Sequence, residues 1–329
     1  MANTLIKDKY KIDIVKNRGI FLGLASVVIA ICLIAVIYLM SIQPNHAPLK
    51  LGIDFTGGTI LQYSVDKKVN TDDITKIRTE LASIGIKNPV IQTTLQSNND
   101  KGEVKNLVSI RTTFLGDKES KDKAGEITST LSKEFSSAEL VAVNSVGPTL
   151  GSELLKNTML ALIIAFIMMV VYISFRFQPE YGWIALVALF HDAMIVMGVF
   201  ALKGIFFDTT VDSLFITAIL TIIGYSINDT IVVFDRIREN MRFLAKKHST
   251  NEIINASINQ TISRSINTSS TTLFTLLALY FFGGVTIREF VLAIIIGVLA
   301  GTYSSIFVAG PLLSLVKEKL ENKNAQQQN

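Results

Sequence analysis

Residues 224–236 read GYSINDTIVVFDR and end an apolar run that begins at Ser213. The run from 213 to 234 has about the 20 residues that a helix needs to cross a bilayer. Asp229, beside Asn228, interrupts it. Because a charged group at the bilayer centre costs about 2.5 to 3.5 kcal/mol on insertion scales, this carboxylate is expected to face a partner or a water path. The stretch predicts a membrane-spanning helix with a polar site.

The composition of the whole chain agrees with this prediction. Of its 329 residues, 49% are hydrophobic and only 18% are charged, and the mean hydropathy is +0.43. Such values are typical of integral membrane proteins. The net charge of +4 is attributed to the cytoplasmic flanks of membrane helices and not to nucleic-acid binding. The single cysteine, Cys32, excludes a disulfide framework and a thiolate metal site.

Six segments are apolar and long enough to span a membrane. The first, residues 19–42, follows a cluster of cations, but it is longer than the apolar core of a signal peptide and no A-x-A cleavage site follows it. It is therefore predicted to be an uncleaved anchor. The other candidates are residues 157–175, 181–202, 213–234, about 262–282, and 290–316. The sequence predicts a polytopic α-helical membrane protein with six transmembrane helices.

The distribution of Lys and Arg predicts how these helices are oriented. The N-terminus, the segment after the fourth helix and the C-terminal tail are rich in Lys and Arg, whereas the short loops on the opposite side hold only Lys203 and Arg288. Because cytoplasmic loops carry an excess of these residues, both ends are predicted to be cytoplasmic.

This orientation assigns a place to each part of the chain. Residues 1–18 form a cytoplasmic N-terminus, residues 43–156 an external domain, and residues 157–316 the second to sixth helices. Residues 235–261 are predicted to form a basic amphipathic helix along the cytoplasmic interface, which serves as an anchor or as a docking surface for a partner. The Gln-rich residues 317–329 are predicted to be a disordered cytoplasmic tail.

The external segment has the pattern of a small α+β domain. Helices are predicted at 71–84, with Thr71 as N-cap, and at 117–135. Strands are predicted at 59–65, 89–95, 104–114 and 139–146. The order β-α-β-β-α-β is that of a ferredoxin-like domain. The segment has neither a basic-aromatic stripe for nucleic acid nor a His, Cys and carboxylate cluster for a metal, so neither nucleic acid, metal nor cofactor is expected.

Two glycine-rich junctions bracket this domain. The first, LGIDFTGGT at 51–59, has the spacing of neither nucleotide-binding loop motif and is predicted to be a tight turn. The second, VGPTLGSEL at 146–154, offers Ser152 as a helix cap and is predicted to be a structural joint that could also act as a hinge. The residues singled out in the first junction are Gly52, Asp54, Gly57 and Gly58.

Three further polar positions interrupt the predicted helices. The third helix carries His191 and Asp192, and the fifth begins with Arg264 in the polar run SRSINTSSTT. At about 1.5 Å per residue, Asp229 and Arg264 lie roughly 24 and 27 Å below the outer surface, whereas Asp192 lies roughly 15 Å below it. Asp229 and Arg264 are thus predicted to lie at nearly the same depth.

The helical period places polar side chains on one face of each of two helices. The fourth helix carries Thr217, Thr221, Tyr225 and Asp229 at intervals of four residues. The fifth carries Arg264, Thr268, Thr271 and Thr275. The sequence predicts that these two stripes face each other across a hydrated seam.

Two interpretations of this seam remain open. In the first, Asp229 and Arg264 form a static ion pair among Ser and Thr packing contacts. In the second, Asp229 binds and releases a proton, because burial favours the neutral acid and a nearby guanidinium favours the carboxylate. His191 and Asp192 either extend this relay or serve in packing. Na⁺ is a second candidate for the coupling ion, since Asn228 and several hydroxyls lie beside the carboxylate.

The pair Asp192 and Asp229 also raises the hypothesis of an aspartyl intramembrane protease. Such proteases resemble one another in Tyr-Asp and Gly-x-Gly-Asp motifs, whereas this chain has His-Asp and Ile-Asn-Asp. The predicted depths differ by roughly 9 Å, which is too far for two carboxylates to share one water unless helix tilt intervenes.

Five motifs, in order across the six predicted helices, resemble the SecD/SecF family of protein-export membrane proteins, within the resistance–nodulation–division superfamily. They are GIDFTGGT, VGPTLGSEL, HDAMIVMGV, GYSINDTIVVFDRIREN and NTSSTTLFT. The similarity runs from about Arg18 to Lys317, and the small external domain resembles that of the SecF half of the family. The block that contains Asp229 is the most specific of the five.

The resemblance implies a function and partners. The chain is expected to be a subunit without enzymatic activity that pairs with SecD, associates with SecYEG and YajC in the bacterial inner membrane, and uses the proton-motive force to assist late preprotein translocation. It also implies that Asp229 and Arg264 belong to a proton pathway. The alternative is a proton-coupled exporter of lipids or small hydrophobic substrates from the same superfamily, although such proteins usually carry both six-helix halves in one chain.

Overall fold

The structure, a computed structural model, describes residues 12–43, 45–67, 69–86, 89–97, 104–135 and 137–328. The chain divides into two compact units. The helical unit comprises the described residues up to Leu49, Ala161–Thr209, and those from Leu214 onward. The α+β unit comprises Lys50–Leu160 and Thr210–Ser213.

The helices and strands follow one another along the described residues in a simple order. They are α1 (Arg18–Ile42), α2 (Ile53–Thr56), β1 (Gly58–Val65), α3 (Thr71–Ser83), β2 (Val90–Ser97), β3 (Val104–Thr112), α4 (Asp117–Glu134), β4 (Ala138–Val146), α5 (Pro148–Arg176), α6 (Pro179–Phe207), α7 (Ser213–Leu244), α8 (Thr250–Phe282), α9 (Val285–Ser304), a π-helical turn (Ser305–Ala309) and α10 (Gly310–Gln328).

The α+β unit contains a four-stranded antiparallel sheet in the order β2-β3-β1-β4. The central strand β1 pairs with both neighbours, so that Leu61 lies opposite Ile110 on β3 and Val143 on β4. The predicted four strands and two helices are confirmed, with ends that differ by one or two residues. The one-turn helix α2 was not predicted.

The core of this unit lies between the sheet and the helices α3 and α4. Leu61 and Ile110 of the sheet share it with Leu81 of α3 and Ile127 of α4, and all four side chains are fully buried. Tyr63 is also fully buried, and its hydroxyl donates to the Ala124 carbonyl at 3.0 Å. Burial raises the pKa of Tyr63 to about 12, so the phenol stays neutral at physiological pH.

Two predicted helix caps are wrong. The N-cap of α3 is Asn70 and not Thr71, and the backbone N–H of Asn70 donates to the Asp73 carboxylate at 2.9 Å. Helix α5 begins at Pro148, so Ser152 lies within its first two turns and donates to the Thr149 carbonyl at 2.8 Å. The reason is that proline, with its fixed φ and no N–H, suits the first helical position.

The helical unit makes the chain a multi-pass membrane protein. Five stretches of the described helices are long and apolar enough to cross a membrane, namely Arg18–Ile42, Pro148–Arg176, Pro179–Phe207, Ser213–Leu244 and Thr286–Lys323. The segment predicted at about 262–282 lies in α8, which is not among the five. Its polar run SRSINTSSTT lowers the hydropathy of the helix.

The helices of this unit are packed closely around α6 and α9. Helix α1 packs against α6, and α9 packs against both α6 and α8. Small residues permit the close approaches, since a Cβ on Gly301 of α9 would lie 3.0 Å from the Ser226 Cβ of α7. The π-helical turn Ser305–Ala309 precedes Pro311. Because a proline ring clashes with the carbonyl four residues before it, a widened turn at this position is expected.

Two predictions about the segments 235–261 and 317–329 are wrong. The tail from 317 to 329 is helical as far as Gln328 and not disordered. Ion pairs hold its first turn, because Lys317 contacts Glu180 at 2.6 Å and Glu318 contacts Arg18 at 2.8 Å. The segment 235–261 is not one amphipathic helix, since α7 ends at Leu244 and α8 begins at Thr250.

Candidate functional site

Asp229 lies inside the helical unit, and the described residues provide a hydrogen-bond partner for one of its two carboxylate oxygens. The residue is 7% exposed. The Ser265 hydroxyl of α8, which is fully buried, donates to Asp229 Oδ1 at 3.0 Å. Asp229 Oδ2 is buried, and no described residue forms a hydrogen bond with it. Because buried polar atoms are nearly always paired, this oxygen is available to a proton or to another small ligand.

Arg264, the residue before Ser265 on α8, is the predicted partner of this carboxylate. Among the described residues no ion pair within 4.0 Å joins Arg264 to Asp229, and Arg264 is exposed. The static ion pair that the sequence left open is therefore not present in this structure. Asn228 is exposed beside Asp229, on another face of α7.

Two residues of the predicted polar stripe of α7, Tyr225 and Asp229, form hydrogen bonds with α8. The Tyr225 hydroxyl donates to the Ser269 hydroxyl at 3.4 Å, one helical turn along α7 from the contact between Asp229 and Ser265. Thr217 and Thr221, which are nearer the N-terminus of α7, are exposed. The α7 face is thus the predicted one, and two serines four residues apart on α8 contact it.

The predicted stripe of α8 does not form this contact. Thr268, Thr271 and Thr275 are exposed along with Arg264. The Thr271 hydroxyl donates to the Thr268 carbonyl at 2.8 Å, and the Thr275 hydroxyl donates to the Thr271 carbonyl at 3.3 Å. The contacting face, Ser265 and Ser269, is one residue further along, which corresponds to a rotation of about 100° around the helix.

His191 and Asp192 form a second polar centre on α6. Both residues are 1% exposed, and His191 Nδ1 lies 2.8 Å from Asp192 Oδ1. Asp192 Oδ2 accepts hydrogen bonds from Ser226 of α7 and from Ser304 of α9, the latter at 2.8 Å. The His191 ring stacks on Tyr303 with the ring centroids 6.1 Å apart.

Hydroxyl groups of α9 and of the π-helical turn complete the polar centre. Thr302 and Ser269 are hydrogen-bonded at 2.5 Å, and Thr230 and Ser305 at 3.0 Å. The sequence reasoning missed all of these partners. The sequence does contain a signal for them, because Ser, Thr and Gly recur at intervals of four residues in these helices. Membrane helices often pack against each other through such small residues. The missed residues are Ser226, Thr230, Ser265, Ser269, Thr302, Ser304 and Ser305.

The arrangement of the two aspartates argues against an aspartyl protease. Among the described residues no hydrogen bond joins Asp192 to Asp229, and no side chain bridges them. Asp192 is occupied by its own donors on both oxygens. A shared catalytic water needs two carboxylates that converge on one point, and these two face different partners.

The first glycine-rich junction lies within the α+β unit and contains the unpredicted one-turn helix α2 as well as the predicted tight turn, which is at Gly57 and Gly58. Gly57 and Gly58 have φ values of +71° and +137°, which disfavour residues with a Cβ. Gly52 donates its N–H to the Val211 carbonyl at 2.7 Å. The Asp54 carboxylate accepts from the Ser213 N–H at 3.0 Å and from the Ser213 hydroxyl at 2.6 Å.

The two glycine-rich junctions pack directly on each other. A Cβ on Gly57 would lie 2.8 Å from the Pro148 Cα, and a Cβ on Gly151 would lie 2.8 Å from the Gly57 nitrogen. Both distances are shorter than any that side chains tolerate. The motif glycines therefore fix the closest approach between the start of β1 and the start of α5.

Replacing Gly57 with Ala is expected to destabilise the α+β unit by about 2 kcal/mol or more, because the positive φ alone costs about 1 to 2 kcal/mol and the contact with Pro148 adds to it. Gly85→Ala is the matched control, since Gly85 has φ +86° but no atom within 4 Å of its Cβ position. Hydrogen exchange of β1 and β4 in the full chain measures the effect. Equal protection in the two variants would show that the close approach is unimportant.

Comparison with known proteins assigns the family. The family described as "Protein export membrane protein SecD/SecF, C-terminal" matches residues 126–319, and the "SecD/SecF GG Motif" matches residues 46–69, which include Gly57 and Gly58. The chain is 42% identical to protein translocase subunit SecF of Thermobaculum terrenum, over 92% of this chain and 93% of that protein. It is 40% identical to the SecF of Sebaldella termitidis, over 81% and 82% of the two chains.

Solved structures show the same similarity. The crystal structure of SecDF, a translocon-associated membrane protein from Thermus thermophilus, matches with a TM-score of 0.75 and 32% identity over 95% of this chain. A super-membrane-facing form of SecDF matches with a TM-score of 0.62. The chain spans 39% of the length of each of these solved chains. On these grounds the chain belongs to the SecD/SecF family of protein-export membrane proteins.

Proposed function

We propose that the chain is the SecF-type subunit of the protein translocase and uses the proton-motive force to assist preprotein translocation. The observation that carries this proposal is the Asp229 carboxylate, which is buried in a membrane span with one oxygen held by Ser265 and the other without a partner among the described residues. An ionisable group at such a position marks an ion pathway. No enzymatic step is part of the proposal.

Protonation of Asp229 changes which contacts between α7 and α8 are favourable. The neutral acid tolerates the low dielectric between the helices, and the Ser265 bond can persist in both states. The carboxylate requires a compensating charge, and Arg264, the residue before Ser265 on α8, would supply one if α8 rotated or slid. Since a guanidinium does not deprotonate in proteins, the charge of Arg264 is constant and the proton on Asp229 is the variable.

A proton fits this site better than Na⁺ does. A bound Na⁺ would need several oxygens at once, whereas the neighbouring hydroxyls of Tyr225, Ser269 and Thr302 are hydrogen-bonded to one another. The nearby guanidinium would also repel a metal cation. A proton needs only the unpartnered oxygen of Asp229.

The proposal extends to architecture and partners. We infer six membrane spans, which are the five apolar stretches and, in addition, α8. The external domain is inferred to be ferredoxin-like, with the sheet order β2-β3-β1-β4. The chain is placed in the bacterial inner membrane with both ends in the cytoplasm. A SecD-type chain is the expected partner, because this chain spans 39% of the SecDF chain it resembles. Helix α5 is apolar and largely exposed along its length, so it offers surface for that partner. SecYEG, YajC and the preprotein complete the assembly.

Copurification tests this assignment. The full chain, tagged at its C-terminus and extracted in a mild detergent, is expected to bring down a SecD-type chain in equal amount and SecYEG in smaller amount. An exporter of lipids or small hydrophobic substrates would instead copurify with neither. Recovery of the folded chain alone, at several detergent concentrations, would contradict the translocase assignment.

A further inference from the structure

The two buried aspartates of the helical unit are held in opposite ways. Asp192 accepts hydrogen bonds on both oxygens, from His191 on its own helix, from Ser226 on α7 and from Ser304 on α9. Asp229 accepts one, from Ser265 on α8. A carboxylate has about four acceptor sites, so Asp192 is nearly saturated and Asp229 is not.

The contacts of Asp192 join three helices at one point. Ser226 and Ser304 both donate to the same oxygen, so that α6, α7 and α9 are tied together through a single carboxylate. The Gly301–Ser226 approach and the Thr230–Ser305 hydrogen bond reinforce the seam between α7 and α9. Among the described residues no hydrogen bond joins α8 to Asp192, and the one that joins α8 to Asp229 comes from Ser265.

The position of Ser226 makes this cluster relevant to Asp229. Ser226 lies three residues before Asp229, which is one helical turn away on adjoining faces of α7. Fixing Ser226 against Asp192 therefore fixes the rotation of α7 about its axis. That rotation decides whether Asp229 meets Ser265 or turns toward another neighbour.

We propose that the His191–Asp192 pair, with Ser226 and Ser304, is a positioning latch: it sets the rotation of α7 and so orients Asp229 toward α8. The pair itself does not bind and release the transported proton. The proposal rests on the proposed role of Asp229 as the proton carrier. It assigns the two aspartates different tasks. Asp192 holds α6, α7 and α9 in fixed positions, and Asp229 binds and releases a proton where α7 contacts α8.

Contacts among the described residues connect four titratable groups to α6 or to the partners of Asp192. They are His191 beside it on α6, Asp229 one turn from its partner Ser226 on α7, Tyr303 stacked on His191 from α9, and Cys32 of α1 against Gly198 further along α6. His191 Nε2 is buried and no described residue bonds to it. A chain of hydrogen bonds that leads protons onward from the pair is therefore not present among the described residues.

An asparagine at position 192 distinguishes a latch from a proton carrier. Its carbonyl oxygen can accept from Ser226 and Ser304, and its amide can donate to His191 Nδ1 when the imidazole carries its proton on Nε2. Asn therefore preserves every contact of the latch but cannot bind and release a proton. Leu, which has a similar size, removes the contacts as well. The double variant Ser226→Ala with Ser304→Ala loosens the latch while both aspartates remain, in case Asp192→Leu does not fold.

Two measurements on the full chain, assembled with its SecD-type partner in vesicles, test the proposal. The first is the infrared C=O stretch of protonated carboxylic acids as a function of pH. The second is the gradient-driven rate of preprotein translocation. We expect Asp192→Asn to keep the pH-dependent band at an unchanged midpoint and to keep most of the gradient-driven rate. The double serine variant is expected to shift the midpoint and to lower the rate on the order of 10- to 100-fold, as misplaced reacting groups do.

Each outcome decides between the hypotheses. If Asp192→Asn loses the band and the rate as completely as Asp229→Asn does, Asp192 carries the proton and the latch is refuted. If the folded double serine variant has the wild-type midpoint and rate, the cluster does not position Asp229, and the latch is again refuted. If Asp229→Asn keeps the full band, the proposed function fails, whatever the variants at Asp192 show.

Discussion

Replacing Asp229 with Asn is expected to abolish the proton-gradient-dependent part of preprotein translocation and to leave the gradient-independent part intact. Asn keeps an acceptor for the Ser265 hydroxyl, which donates to Asp229 Oδ1 at 3.0 Å, so the contact between α7 and α8 survives. The amide cannot take up or release a proton. The assay compares translocation into inverted vesicles with and without an imposed gradient.

Glu239→Gln is the matched control for this variant. Glu239 is on the same helix, and its side chain is 56% exposed in an ion pair with Arg236. Removing this charge is expected to leave gradient stimulation at the wild-type level, because exposed ion pairs contribute at most about 1 kcal/mol. Full gradient stimulation in folded, assembled Asp229→Asn would refute the proton-carrier role.

Replacing Gly297 with Ala is expected to destabilise the helical unit. A Cβ at this position of α9 would lie 2.6 Å from Ile222 Cγ2 and closer still to other atoms of that side chain. Ile222 is 1% exposed, and β-branched side chains have little freedom to move aside. Overpacking of this kind costs about 1 to 3 kcal/mol, and here it would also push α7 away from α9.

Gly224→Ala provides the comparison for Gly297→Ala. Gly224 is in the middle of α7, and nothing lies within 4 Å of its Cβ position. Thermal unfolding of the purified full chain in detergent measures both variants. We expect a lower Tm for Gly297→Ala and an unchanged or higher Tm for Gly224→Ala, since Ala favours helix by up to about 1 kcal/mol over Gly. Equal Tm values would show that α7 and α9 are not in close contact.

The membrane helices and the position of the polar site could be predicted from the sequence because each depends on local chemistry. A carboxylate in an apolar run is visible without knowledge of the fold, and so is the alternation of the four strands. The contact partner of Asp229 was not predictable in this way. Arg264 and Ser265 are neighbours in sequence, and which of them faces α7 depends on a rotation that packing against α9 determines.

The errors at the ends of elements have a similar origin. Asn70 caps α3 where Thr71 was predicted, because two adjacent residues are both good caps and the entry of the chain selects one. The tail is helical because α10 continues a long span and Glu318 pairs with Arg18, 300 residues away in sequence. Contacts between residues so distant in sequence leave no periodic signal.

The most direct test of the central claim is the proton flux itself. Vesicles that contain the chain and its SecD-type partner, loaded with a pH-sensitive dye, are supplied with a preprotein held part-way through the translocon. The account predicts proton movement that starts with preprotein movement in the wild type and is absent in Asp229→Asn, while Glu239→Gln behaves as the wild type does. Equal proton movement in the wild type and in folded, assembled Asp229→Asn would contradict it.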